Sequence, residues 1–128
     1  MILRYRDYRA MYAHVQSQAP LEACGLVAGR HDFSQKVFPI TNILHSASRY
    51  RMAPEEQVRA LMTIHHAGME LLAIYHSHPA GPPWPSLADL HAATYPVPYL
   101  IWAPIGTTWV VRAFHLSDHA REIPVRLH

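Results

Sequence analysis

The stretch ELLAIYHSHPAGPP, residues 70–83, constrains this chain more than any other. Leu71 to Tyr75 is a continuous apolar run of strand length, the pattern of a strand buried on both faces in the middle of a sheet. Alternate side chains of a strand share a face, so His76 and His78 project the same way, in line with Leu72 and Ile74. Pro79 cannot donate to a ladder and ends the strand, which leaves both imidazoles at its C-terminal edge, where α/β sheets bind ligands. The chain holds 11 histidines, so a His-x-His pair by itself is expected roughly once by accident, and for the pair alone two partly buried histidines bonded to carbonyls are the favoured reading.

The surrounding pattern supports a mixed α/β class. Tyr8, Met11, Tyr12 and Val15 recur at helical spacing, which predicts an amphipathic helix over 5–18, closed by Pro20. LEACGLVAG (21–29) and KVFPITN (36–42) read as strands, and RYRMA (49–53) as a third, short one. Pro54-Glu55-Glu56 is a helix start, because proline is tolerated in the first turn and carboxylates favour the positive end of the helix dipole. That helix runs to about residue 67, with Gly68 as its stop. SLADLHAATY (86–95) gives a short third helix; YLIWA (99–103), TTWVVRAFHL (107–116) and EIPVRLH (122–128) read as strands, with a turn over 103–106. The result is one domain over 1–128, a central mixed sheet flanked by helices.

At 128 residues the chain can bury a core without disulfides, and its single cysteine, Cys24, fits a reducing cytoplasm. No apolar stretch approaches the roughly 20 residues that span a bilayer, and MILRYRDYRAMY lacks the form of a secretion signal. The formal charge of +2 is small and dispersed, which argues against a nucleic-acid partner.

Beyond the proline loop, Ser86 and Asp89 stand three residues apart ahead of Leu90. Ser-x-x-Asp resembles a capping box, although that device prefers Glu or Gln at its fourth position. One helical turn also holds both side chains on one side, and a loop of about seven residues can return that turn to the strand end. Asp89 then completes a His, His, Asp set. Three protein ligands with a fourth position open is the pattern of catalytic zinc, whereas closed structural zinc sites usually draw on cysteines. A hydrolytic zinc site also needs a proton acceptor, since zinc lowers the pKa of water only to about 7. Glu22 is the candidate, a carboxylate at the start of a buried strand; a solvated strand-end charge is the alternative. Ser86 would donate a hydrogen bond to the oxyanion formed at an attacked carbonyl.

PLEACGLVAG followed by HSHPAGPPWPSLAD resembles the JAMM (MPN+) metalloproteases. Their pattern is a glutamate, then His-Ser/Thr-His-Pro, seven residues from the second histidine to a serine, and an aspartate three further on. The resemblance covers roughly residues 5–115 and implies the JAMM/MPN fold, related in outline to the cytidine deaminases. It implies zinc held by His76, His78 and Asp89, with Glu22 as general acid/base and Ser86 as oxyanion stabiliser. NILHSASRYRMAPEEQ is similar to the bacterial branch, whose members are associated with ubiquitin-like sulfur carrier proteins ending in Gly-Gly, and in which an asparagine precedes a loop ahead of the second helix. The implied activity is hydrolysis of a peptide or isopeptide bond after those glycines. The insertions of eukaryotic ubiquitin-chain enzymes are absent from the core.

Other residues have simpler roles. Cys24 reads as a small buried thiol, Trp84 either flanks a substrate tail or packs on the domain, His91 reads as a surface histidine, and His65 and His66 lie on the second helix without a role. A silent scaffold of the same fold is the binding-class alternative, disfavoured because such relatives typically lose ligands. A nucleobase deaminase is disfavoured by the missing His-x-Glu and Pro-Cys-x-x-Cys signature. The sequence leaves the oligomeric state open, a homodimer included.

Overall fold

The computed structural model describes residues 1–128. In chain order the elements are β1 (Ile2–Leu3), α1 (Tyr5–Gln18), β2 (Cys24–Arg30), β3 (Phe33–Ile40), α2 (Pro54–His66), β4 (Glu70–Ser77), α3 (Leu87–Ala92), β5 (Tyr99–Ile105), β6 (Thr108–Leu116), β7 (Ala120–Ile123) and β8 (Arg126–Leu127). The strands form one mixed sheet in the order β7-β6-β5-β4-β2-β3-β1-β8. β7 and β8 lie at opposite ends of that order yet are separated by only Pro124 and Val125, so the sheet must curl until its edges approach. No helix is long and apolar enough to cross a membrane.

Each sheet face carries its own core, and parity decides which. Val27, Ala73, Tyr75, Leu100 and Trp102 pack with Met11 and Val15 of α1 on one face. Leu26, Ile74 and Tyr99 pack with Ala60 and Ile64 of α2 on the other. Central strands buried on both sides explain why Leu71–Tyr75 is apolar without alternation. Gly25 is required by close approach, because a Cβ there would collide with the Tyr75 ring and the Phe38 carbonyl.

Several boundaries differ from the sequence reading. β2 begins at Cys24, not Leu21, so Glu22 precedes the strand instead of opening it. β3 spans Phe33–Ile40 in place of 36–42, because it follows directly on a tight turn in which His31 and Asp32 take positive φ. RYRMA forms no strand; its only ladder contact is an isolated bridge between Met52 and Asn42. α3 is shorter than the expected 86–95: Ser86 caps it from outside and Ala93 leaves it in extended geometry.

The turn expected over 103–106 moves along the chain. Pro104 stays in β5, opposite Trp109, and the hairpin turns at Gly106-Thr107, with Gly106 at φ 62°. Pro104 shares its parity with Trp102, whose carbonyl accepts from His78 N–H at 2.7 Å, the last such bond before β4 departs. A missing N–H one pair further on therefore leaves nothing unpaired. EIPVRLH is not one strand: Pro124 divides it, and its halves pair at opposite edges, β7 with β6 and β8 with β1.

Candidate metal centre

β4 and β5 are parallel, so the chain that leaves β4 at Ser77 must cross back over the sheet to start β5 at Tyr99. That crossover begins where His76 and His78 stand and contains α3, which explains why Asp89 arrives at the strand end. The atoms converge closely. His76 Nε2 lies 3.1 Å from His78 Nε2 and 3.1 Å from Asp89 Oδ1, while His78 Nε2 lies 3.0 Å from Asp89 Oδ2. Ligand atoms about 2.0–2.1 Å from a tetrahedral zinc stand roughly 3.3 Å apart, so three nitrogen and oxygen atoms at 3.0–3.1 Å have the spacing of such a set. These three are the one cluster of metal-ligating side chains in the chain.

Neighbouring groups aim the candidate ligands. His78 Nδ1 donates to the Pro82 carbonyl at 2.8 Å, which turns the Nε2 lone pair toward the cluster. His76 is fully buried and its Nδ1 has no partner; its ring is held by stacking on Tyr50, at 4.6 Å between centroids and 26° between planes. The Ser86–Asp89 pair proves to be a complete capping box. Ser86 Oγ accepts from Asp89 N–H at 3.1 Å, and Asp89 Oδ2 accepts from Ser86 N–H at 2.9 Å. Cap and candidate ligand are thus one structure: the box fixes the carboxylate while leaving Oδ1 and Oδ2 facing the histidines. The Ser86 hydroxyl hydrogen remains available to a ligand.

Charge follows from this packing. Burial alone would raise Asp89, but the imidazoles of His76 and His78 against its oxygens outweigh it and hold the carboxyl far below the usual range. Burial lowers His76. Burial also acts to lower His78, but Asp89, the Pro82 carbonyl and Glu22 overcome it and raise that histidine.

Glu22 reaches the same place by another route. Its N–H donates to the Ser46 carbonyl at 2.9 Å and its carbonyl accepts from Asn42 Nδ2 at 3.1 Å, while Ala23 N–H donates to Ser77 Oγ at 2.8 Å. Its side chain lines a cleft of about 320 Å³ together with His78, Trp84 and Ser86. Burial pushes its carboxyl up to about 7, with the charge of Asp89 adding to the effect and that of His78 opposing it. Trp84 is half exposed on the wall of this cleft. Cys24 is buried against the Ile40 carbonyl and its thiol is pushed up to about 12, a packed and unreactive sulfur. His65, His66 and His91 are exposed and stand outside the cluster.

Two contributors were not assigned roles from the sequence. Tyr50 supports His76 from the segment misread as a strand. Asn42 ties that segment together: its Nδ2 donates to the Glu22 and Arg49 carbonyls, and its Oδ1 accepts from the N–H groups of Leu44 and Arg51. Asparagine followed by a long polar segment was the available signal, since such a side chain can satisfy a loop that has no ladder.

This fold, with a His, His, Asp trio and a buried glutamate at one strand end, defines the JAMM class of metallopeptidase. The description "prokaryotic homologs of the JAB domain" matches residues 6–118, and the chain belongs to that family. It is 41% identical over 107 residues to a probable TtuB-protein conjugate cleaving protease of Thermus thermophilus, covering 83% of this chain and 69% of that protein. It is 33% identical over 123 residues to a desampylase of Pyrococcus furiosus, covering 95% and 86%. The solution structure of a Desulfitobacterium hafniense protein, 32% identical, superposes with a TM-score of 0.89 over 100% of this chain and 93% of its own. The expected JAMM/MPN fold is the fold found.

Proposed function

We propose that the chain is a zinc metallopeptidase that hydrolyses the bond following the C-terminal glycines of a ubiquitin-like or sulfur carrier protein. The observation that carries this reading is the convergence of His76, His78 and Asp89 at 3.0–3.1 Å beside a buried glutamate in one cleft. His76, His78 and Asp89 would hold the zinc; when bound, it supplies Lewis acidity to a carbonyl and brings the pKa of a water to about 7. Glu22, buried in the cleft beside the cluster, accepts a proton from the attacking water and passes it to the departing amine. Ser86 donates its hydroxyl hydrogen to the oxygen on which charge develops.

The surface beside the site suits a thin tail. The cleft lined by Glu22 continues through Ala47 and Ala80 into a trough bounded by Ala19, Pro20 and Pro79. Walls built from alanine, proline and glycine leave space for extended backbone and little for large side chains, which favours glycines. The Thermus relative is named as a probable protease that cleaves protein conjugates, the same class of substrate. The buried free thiol of Cys24 fits action in a reducing cytoplasm.

The test is cleavage of a Gly-Gly-ending carrier extended beyond its last glycine, with products located by mass spectrometry. Zinc-dependent cutting directly after the second glycine is expected. Replacing that glycine with valine should slow cleavage at least about tenfold, or ~1.4 kcal/mol. Efficient digestion of unrelated unfolded proteins, with no preference for glycine, would replace this reading with a general peptidase.

A further inference from the structure

The chain has three tryptophans, and two of them serve the core. Trp102 is fully buried and Trp109 nearly so, both in the cluster that holds Met11 and Val15 of α1, and Tyr8 and Tyr12 pack on the Trp102 ring. Trp84 does neither. It belongs to no core cluster and stands 52% exposed on the wall of the Glu22 cleft. The rest of the lining is small or proline, apart from Glu22 and His78, so this indole is the one large side chain in the wall that the chemistry leaves unused.

Its place is fixed by its neighbours. Pro82, Pro83 and Pro85 surround it in the chain, and each locks its own φ near −65°, so the loop has little freedom left to lose when a ligand arrives. Trp84 is two residues ahead of Ser86, which puts their Cα atoms at most about 7 Å apart. The Ser86 hydroxyl is assigned to the oxygen of the attacked carbonyl, and that carbonyl belongs to the last glycine of the tail. The indole is therefore within reach of the same glycine. A flat ring can lie directly on a bare glycine peptide, whereas a Cβ at that residue would hold the two surfaces apart and forfeit their contact.

We propose that Trp84 is a specificity-determining residue for glycine at the cleaved bond: its indole covers the last glycine of the tail and excludes a larger residue there. The proposal rests on the peptidase reading above. It assigns the residue that carries the attacked carbonyl to Trp84, and the earlier part of the tail to the trough of alanine and proline. Trp84 moves no proton and holds no metal, so replacing it changes which tail is cut more than whether cutting occurs.

The test uses the zinc-loaded enzyme and TtuB, the protein whose conjugates the Thermus relative is named for cleaving, made to end in Gly-Gly-Ala or Gly-Val-Ala. The wild-type kcat/KM should favour the glycine form by at least about tenfold, or ~1.4 kcal/mol. In Trp84→Ala that ratio should fall to about two or less, whereas Trp84→Phe, which keeps a flat ring, should retain most of it. Both variants change an exposed side chain, and a ratio between two substrates is insensitive to how much enzyme is folded. Trp84 is also the one exposed tryptophan, so TtuB ending in Gly-Gly should move the emission of the wild type to shorter wavelength and leave that of Trp84→Phe unmoved. A glycine preference that survives in Trp84→Ala, or an emission shift of equal size in Trp84→Phe, overturns the role of Trp84 and leaves the peptidase reading intact. Equal cleavage of both forms by the wild type overturns glycine selection as well. Cleavage of neither overturns the peptidase reading and this inference with it.

Discussion

Two carboxylates in this chain are buried almost equally, Asp7 at 4% exposure and Glu22 at 5%, and their surroundings are opposite. Asp7 sits in the first turn of α1 and accepts from Ser34 Oγ at 2.6 Å; that oxygen in turn accepts from Arg4 N–H at 2.8 Å. Donors, helix dipole and carboxylate answer one another there, which is how a buried charge becomes tolerable. Glu22 has no such support: burial dominates its titration, and none of the groups acting on it is a hydrogen bond. One carboxylate is used up by the fold, and the other is held in reserve. Burial alone does not mark a functional acid; burial with unspent hydrogen-bonding capacity makes a candidate.

The largest effects that can break this contrast come from the candidate ligands. His76→Ala and Asp89→Ala should each reduce peptidase activity by about a hundredfold or more, checked by initial rates on a carrier conjugate. Glu22→Gln should keep the metal and lose about 10² to 10⁴ in rate, measured as single-turnover cleavage. Near wild-type turnover would make Glu22 a bystander. Ser86→Ala removes both an oxyanion donor and a helix cap, so a rate loss of about 10²-fold should accompany roughly 1 kcal/mol of lost stability. Ser86→Thr, which keeps the hydroxyl, should recover most of the stability.

A smaller effect sharpens the contrast, because the two acids should respond oppositely to removal of charge. Asp7→Ala leaves the Ser34 hydroxyl without its acceptor and should destabilise the fold by about 1–3 kcal/mol, read by urea denaturation. For metal-free Glu22 the sign reverses. The unfolded chain releases this proton near 4.5 and the folded chain holds it to about 7, so stability falls as pH rises between those values and the loss is complete above 7. Glu22→Gln should therefore raise the melting temperature of metal-free protein at pH 8 and change it little at pH 4. A lower melting temperature at pH 8 would show that Glu22 is structural after all.

What was legible in the sequence follows from the range of the forces involved. The shared face of His76 and His78 is a matter of strand parity, and Ser86 with Asp89 one of helical turn; both are local and could be read from spacing. α1 and α2 were legible for the same reason. Glu22 was found as a residue but misplaced as part of a strand, because bonds to Ser46 and Asn42, 24 and 20 residues away, set its backbone. Tyr50 looked like strand, since a β-prone composition cannot reveal that Asn42 replaces a ladder with a loop. β1 and β8 hold two residues each and exist because the curled sheet brings both chain ends together, a global condition that no short window contains.

The most direct test compares zinc content in three proteins purified alike: the wild type, Asp89→Ala and Asp7→Ala. A reserved cluster at the end of β4 and a spent one at the start of α1 require about one zinc per chain in the wild type, almost none in Asp89→Ala, and the wild-type amount in folded Asp7→Ala. Equal zinc in the wild type and Asp89→Ala would contradict the assignment of the metal centre.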